Sequence, residues 1–213
     1  MGVSEHCLIS NSKSVMARKN VRNTNTKNTL EAIPTIIGAG ITEQYYFEHL
    51  KNLFGYRLKI RPRFFGNENI YYIEQRIKQV LDEGGRAICI FDADVTNWDA
   101  AEKKKLEELK RKYGNKPDVL ICDSLPSIEY WFLLHFRKTA KFFTTSKEAE
   151  RELSSYIRNY EKHERFLSKP DWVIQMTDDE KQNDAITRAK EIGMQENQSY
   201  TNVYKAIEEL KSK

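Results

Sequence analysis

Pro34-Thr35-Ile36-Ile37-Gly38-Ala39-Gly40-Ile41-Thr42-Glu43 runs from an apolar stretch through a Gly-x-Gly turn into a Thr-Glu helix start. The apolar part is short and stops at glycine, the pattern of a strand buried on both faces, expected over residues 33–38. Thr42 is placed to cap a helix over 43–54, where Tyr46, Phe47, Leu50, Leu53 and Phe54 recur at helical spacing. A strand that turns sharply into a helix is the opening unit of a parallel α/β sheet.

Downstream, the alternation continues. A second strand is expected over 56–63. A helix over 68–83 carries Ile70, Ile73, Ile77, Val80 and Leu81 on one side and stops at Gly84-Gly85. Residues 87–91 read as a third buried strand, 98–113 as a highly charged helix, 118–122 as a fourth strand and 127–136 as a short apolar helix. After Thr139 the strand pattern fades. Thr145-Ser146-Lys147-Glu148 is a capping box that should open a helix reaching about Lys162. Further helices are expected from Thr177 to Ile192 and from near Thr201 onward. The expected fold class is α/β, a parallel sheet flanked by helices with a C-terminal helical extension. The expected organisation is a basic flexible arm (1–30), a catalytic α/β domain (31–140) and a helical extension packed on it (141–213).

Composition bounds the function. Of 213 residues, 39% are hydrophobic and 31% charged, a globular balance. No apolar run approaches the roughly 20 residues of a membrane span, and the N-terminal residues are polar, so no membrane association and a cytoplasmic location are expected. Lys13, Arg18, Lys19, Arg22 and Lys27 face Glu5 alone in residues 1–30 and account for the whole net charge of +4. That arm is solvated by default and is suited to phosphate contact. Cys7, Cys89 and Cys122 form no CxxC pair and read as buried thiols of a reducing compartment. Tyr45, Tyr46, Tyr71, Tyr72 and Trp98 are able to stack on bases, although core packing accounts for most such residues.

Three polar clusters follow the first, third and fourth strands: the Gly38–Glu43 turn, Asp92-Ala93-Asp94, and Ser124-Leu125-Pro126-Ser127-Ile128-Glu129. Ligands of parallel sheets gather at those strand ends. Two aspartates spaced by one residue bring hard oxygen ligands into one crevice and suit Mg²⁺ or Mn²⁺. A pair of loop aspartates capping the next helix would look the same in sequence. Glu129 lies among apolar residues, where a carboxylate needs a partner or a metal, and its place in a first helical turn also suits the helix dipole. His135 lies six residues on, on a different side of that helix, and reads as a structural histidine with at most a supporting role. Glu43 has the same dual reading, helix-dipole residue or support of the crevice.

Ile36-Ile-Gly-Ala-Gly-Ile-Thr-Glu-Gln-Tyr-Tyr-Phe47, the DxD pair and Leu125-Pro-Ser-Ile-Glu-Tyr-Trp-Phe-Leu-Leu-His-Phe136 resemble the RloB family, related to the AbiLii abortive-infection proteins. The closing Asn197-Gln-Ser-Tyr-Thr-Asn-Val203 is also similar, and the basic arm is not covered. The resemblance implies a Toprim-like fold, the metal-binding domain of topoisomerases, bacterial primases and several nucleases. It implies an antiphage effector that cuts RNA or DNA, with Mg²⁺ or Mn²⁺ on Asp92 and Asp94, Glu129 as a further acidic member, and Gly40, Glu43 and His135 in support. It also implies an AAA/ABC-type ATPase companion and allows a homodimer. The related PARIS effector attacks tRNA, which inclines the substrate expectation to RNA.

The family pattern places Glu-Gly where this chain has Ala39-Gly40, and that glutamate is implied to be the acid/base or a metal-orienting group. Alanine performs neither task. A natural inactive homologue and an engineered inactive form both fit, and the intactness of the other elements favours the second. The alternative function is a non-catalytic module that uses the same scaffold to dock an ATPase or nucleic acid.

Overall fold

The computed structural model describes residues 32–38, 40–61, 70–93 and 100–212. The arm over 1–30, Ala39, Asp94 and Trp98, all singled out by sequence, lie outside the described residues. The described residues all belong to one compact unit.

Four strands run parallel: β1 (Pro34–Ile37), β2 (Lys59–Arg61), β3 (Arg86–Asp92) and β4 (Val119–Leu125). The helices between them are α1 (Ile41–Phe54), α2 (Ile70–Asp82) and α3 (Ala100–Tyr113). After β4 come α4 (Ile128–Leu134), α5 (Ser146–Leu153), α6 (Glu164–Leu167), α7 (Asp171–Ile174), α8 (Asp179–Ile192), β5 (Tyr200–Thr201) and α9 (Val203–Lys211). The sheet order is β2-β1-β3-β4-β5, with β5 antiparallel to β4. This is the expected α/β architecture, a mostly parallel sheet flanked by helices with a helical C-terminal part, consistent with a Toprim-like fold.

Period-two alternation along the strands divides the core in two. Ile36, Ile88, Ile90 and Cys122 point to one face, where Tyr46, Phe47 and Leu50 of α1, most of α4 and the C-terminal helices pack. Ile37, Ala87, Cys89, Phe91 and Val119 point to the other, under Ile70, Ile77 and Val80 of α2 and Leu106, Leu109 and Tyr113 of α3. Both Cys89 and Cys122 are buried and unpaired. Trp131 and Trp172, fully buried, anchor the first core, where Trp131 Nε1 donates to the Tyr46 hydroxyl at 2.9 Å. Tyr71 and Tyr72 are exposed, unlike Tyr46. No described helix is long and apolar enough to cross a membrane.

Several expected boundaries are corrected. Thr42 does not cap α1: the capping position is Gly40, and Thr42 lies buried inside the first turn. The fourth strand does not stop at 122. It continues to Leu125 because Asp92 pairs with Ser124 on one side and Thr201 pairs with Ser124 on the other. The long helix expected from Thr145 has its cap, with Thr145 accepting from Glu148 N, but ends at Leu153. Beyond it the chain turns, and Asn159 adopts a left-handed φ of 58°, a conformation asparagine tolerates. Strand β5 carried no recognisable signal, since two residues cannot display a period.

Candidate functional site

The strand order places the candidate site. From β1 the chain steps outward to β2, then crosses back to β3 on the opposite side of β1 and continues to β4. The direction therefore reverses between β1 and β3, and a crevice opens at their carboxyl ends. Ile37, the last residue of β1, pairs with Cys89, while β3 runs on to Asp92. The chain leaves β1 by turning tightly against β3. Gly38 has φ +79°, and a Cβ there would stand 2.8 Å from the Ile90 carbonyl oxygen, so glycine is required on both counts. Gly40 then starts α1, accepting from Gln44 N at 2.9 Å, and Glu43 falls in the buried first turn.

Asp92, partly exposed at the end of β3, accepts the backbone N–H of Ile128 on Oδ1 at 3.1 Å. This bond ties the strand end to the first turn of α4. The next residue is Glu129, with no exposed surface. Its Oε2 accepts from Ser127 Oγ at 2.5 Å and pairs with Lys162 Nζ at 3.0 Å, while Oε1 accepts from the Tyr160 hydroxyl at 2.9 Å. A buried carboxylate is costly unless its lone pairs are met, and three donors meet them here.

The electrostatics link these groups. Burial works to lower the Lys162 pKa, but Glu129 foremost, then Asp92 and Glu43, outweigh it and hold the ammonium above the ordinary lysine value. Burial pushes the Tyr160 hydroxyl well up, and Glu129 and Glu43 add to the effect. Lys162 therefore lies within the field of all three carboxylates.

Of the residues singled out by sequence, the fold gathers Gly40, Glu43, Asp92 and Glu129 around this crevice. His135 sits elsewhere in the core. Its Nδ1 bonds to the Trp131 carbonyl at 3.0 Å, and its ring packs edge-on against Trp131. The charged groups acting on it are Arg188 of α8 and Asp178 at the α8 cap. Burial pulls its pKa down to about 4, so it is neutral at pH 7.

Sequence reasoning missed Tyr160 and Lys162. They sit in the charged run Asn159–Arg165, which carries no period, and the irregular turn after α5 brings them in. It also missed Asp123, which is buried in β4 and faces α3. There it pairs with Lys110 at 2.9 Å and accepts from Tyr200 at 2.8 Å and Asn202 Nδ2 at 2.7 Å.

Among the described residues no three His, Cys, Asp or Glu side chains stand close enough to form a metal centre. The donor chemistry at the crevice is nonetheless oxygen only. A hard cation such as Mg²⁺ keeps several waters and needs one or two protein carboxylates, so Asp92 fits that role. Glu129 does not, because its oxygens are already committed to Ser127, Tyr160 and Lys162.

The family model described as RloB-like protein matches residues 35–210. No curated protein and no solved structure matches. The match spans the sheet from Thr35 onward and nearly all of the C-terminal helices, including the segment that supplies Lys162.

Proposed function

We propose, for a chain that belongs to the RloB-like family, a metal-dependent nuclease effector of a bacterial antiphage system, of Toprim type, cutting phosphodiester bonds in RNA, tRNA included, or in DNA. The observation that carries this reading is the partly exposed carboxylate of Asp92 at the switch point of a parallel sheet, beside Glu43 and the Glu129–Lys162 pair. Phosphate chemistry at such a place needs positive charge and fixed geometry.

Asp92, together with Asp94 two residues on in sequence, would hold Mg²⁺ or Mn²⁺. The ion's contribution when bound is positive charge on a phosphate oxygen. Lys162 pairs with Glu129 in the first turn of α4 and holds its carboxylate in place, and the Ile128 N–H fixes Asp92 at the strand end. Position 39, next to Gly38 and Gly40, is where the resemblance calls for a glutamate acid/base. Ala39 supplies no proton carrier, so the chain as written is impaired in turnover while keeping its aspartates. An ATPase companion that restrains or triggers the enzyme follows from the same resemblance, and the setting is cytoplasmic.

The test is cleavage of RNA and DNA in Mg²⁺ by this chain and by its Ala39→Glu form, each with and without the ATPase. The Glu form should cut and the present chain should be far slower. If the Glu form cuts neither polymer under any condition, the nuclease reading falls. Ala39 itself favours one second reading, a non-catalytic scaffold that docks an ATPase or nucleic acid; equal binding and no cleavage by both forms would support it.

A further inference from the structure

We propose that the Glu129–Lys162 ion pair takes the place of a second metal ion, so that the crevice accepts a single divalent cation, at Asp92. The inference rests on the metal-dependent reading above and adds the number of ions and the residue that sets it.

Both carboxylates meet the first turn of α4. Asp92 Oδ1 receives the N–H of Ile128, and Glu129 is the residue that follows. Two-metal phosphoryl-transfer sites hold their cations about 3.5–4 Å apart and need carboxylate oxygens free for both. Here the second carboxylate is already committed. An ammonium sits 3.0 Å from Glu129 Oε2, a hydroxyl 2.5 Å from the same oxygen, and a phenol 2.9 Å from Oε1. A metal ion entering at Glu129 would have to displace Lys162 from a fully buried partner and would leave Ser127 and Tyr160 without their acceptor.

A second divalent cation at Glu129 would also bring two like charges next to the Lys162 ammonium. The Lys162 side chain is 32% exposed, so its stem reaches in from the surface and its only described carboxylate partner within ion-pair distance is Glu129. A lysine delivers one charge permanently and without an entry step, which a dissociable ion cannot do.

The experiment is a Mn²⁺ titration of the full chain, following free Mn²⁺ by electron paramagnetic resonance and heat by calorimetry. The unchanged chain should bind one equivalent. Lys162→Met should bind two, because Glu129 is left buried without its cation, and Mn²⁺ should raise its melting temperature more than it raises that of the unchanged chain. Lys162→Met combined with Glu129→Gln should return to one, and Glu129→Gln alone should keep one and remains available should Lys162→Met fail to fold. Two equivalents on the unchanged chain, one on Lys162→Met, or loss of Mn²⁺ from Glu129→Gln overturns the inference while leaving a metal-dependent enzyme intact. Absence of Mn²⁺ binding by every form removes the metal reading and this inference with it.

Discussion

Lys162 Nζ lies 3.0 Å from Oε2 of Glu129, a side chain with no exposed surface, so a residue of the irregular segment after α5 neutralises one at the start of α4. The two partners differ in exposure, and that difference predicts unequal costs. Lys162→Met strands a buried carboxylate and should cost roughly 3 kcal/mol, the lower end expected for breaking a buried pair. Glu129→Gln leaves a lysine that can swing to water and should cost less, about 1–2 kcal/mol. Urea denaturation of both single variants and the double variant measures this; equal losses, or additive ones, would show that the pair is not coupled.

Asp92→Asn keeps an oxygen for the Ile128 N–H and removes the charge. Its stability should stay within about 0.5–1 kcal/mol of the parent. In the Ala39→Glu background, cleavage should fall by about a hundredfold or more and Mn²⁺ affinity should fall with it. Unchanged Mn²⁺ binding would remove Asp92 from the site.

Gly38→Ala should destabilise by about 2–3 kcal/mol, because the new Cβ meets the Ile90 carbonyl and φ is +79°. Gly55→Ala is the control: φ is +68° with nothing within 4 Å, so only the left-handed penalty of about 1 kcal/mol applies. Thermal melts of the two variants should differ accordingly, and matching losses would mean that the turn does not press on β3.

His135 is held neutral by burial, its pKa pulled down to about 4 from 6.5. The unfolded chain takes up a proton in that window and the folded chain does not, so folding stability is full above pH 6.5 and falls as pH drops toward 4. The loss approaches about 3 kcal/mol. Of the facing charges, Arg188 is half-buried on α8 and bonded to the Leu134 carbonyl, Asp178 is exposed at the α8 cap, and only Asp178 favours the proton. Stability measured by urea between pH 7 and 4.5 should therefore decline more for the parent than for His135→Phe. Parallel declines would place the titration elsewhere.

Asp123 holds β5 and α3 to β4 through Tyr200, Asn202 and Lys110. Burial opposes its charge, but Lys110, Asn202 and Tyr200 outweigh burial and hold its pKa below the ordinary value of 3.8. Its stabilisation is thus present above that value and is lost as pH falls below it. Asp123→Ala should cost about 3 kcal/mol by leaving the buried Asn202 amide and the half-buried Tyr200 hydroxyl without their acceptor and Lys110 without its nearer partner, and Asp123→Asn about half of that. Hydrogen exchange should show β5 opening first in the Ala variant. Retained protection of Thr201 and Asn202 would contradict the anchoring role.

The sequence by itself determined the alternation of strand and helix, the parallel sheet, and the strand-end positions of Gly38, Glu43 and Asp92. These follow from local rules: apolar runs the length of a strand, glycine where the chain must turn, helical spacing of Tyr46, Phe47 and Leu50. It also marked Glu129 as a carboxylate in need of a partner, since its neighbours are apolar. Only the tertiary structure decided which partner. Lys162 and Tyr160 lie 33 and 31 residues downstream of Glu129, in a stretch without periodicity, and nothing local distinguishes them from solvated surface residues. The same holds for Asp123, whose partners come from α3, β5 and the cap of α9. A buried charge selects its counterpart through space, by the cost of leaving it unmet, and that cost is not written in the spacing of residues along the chain.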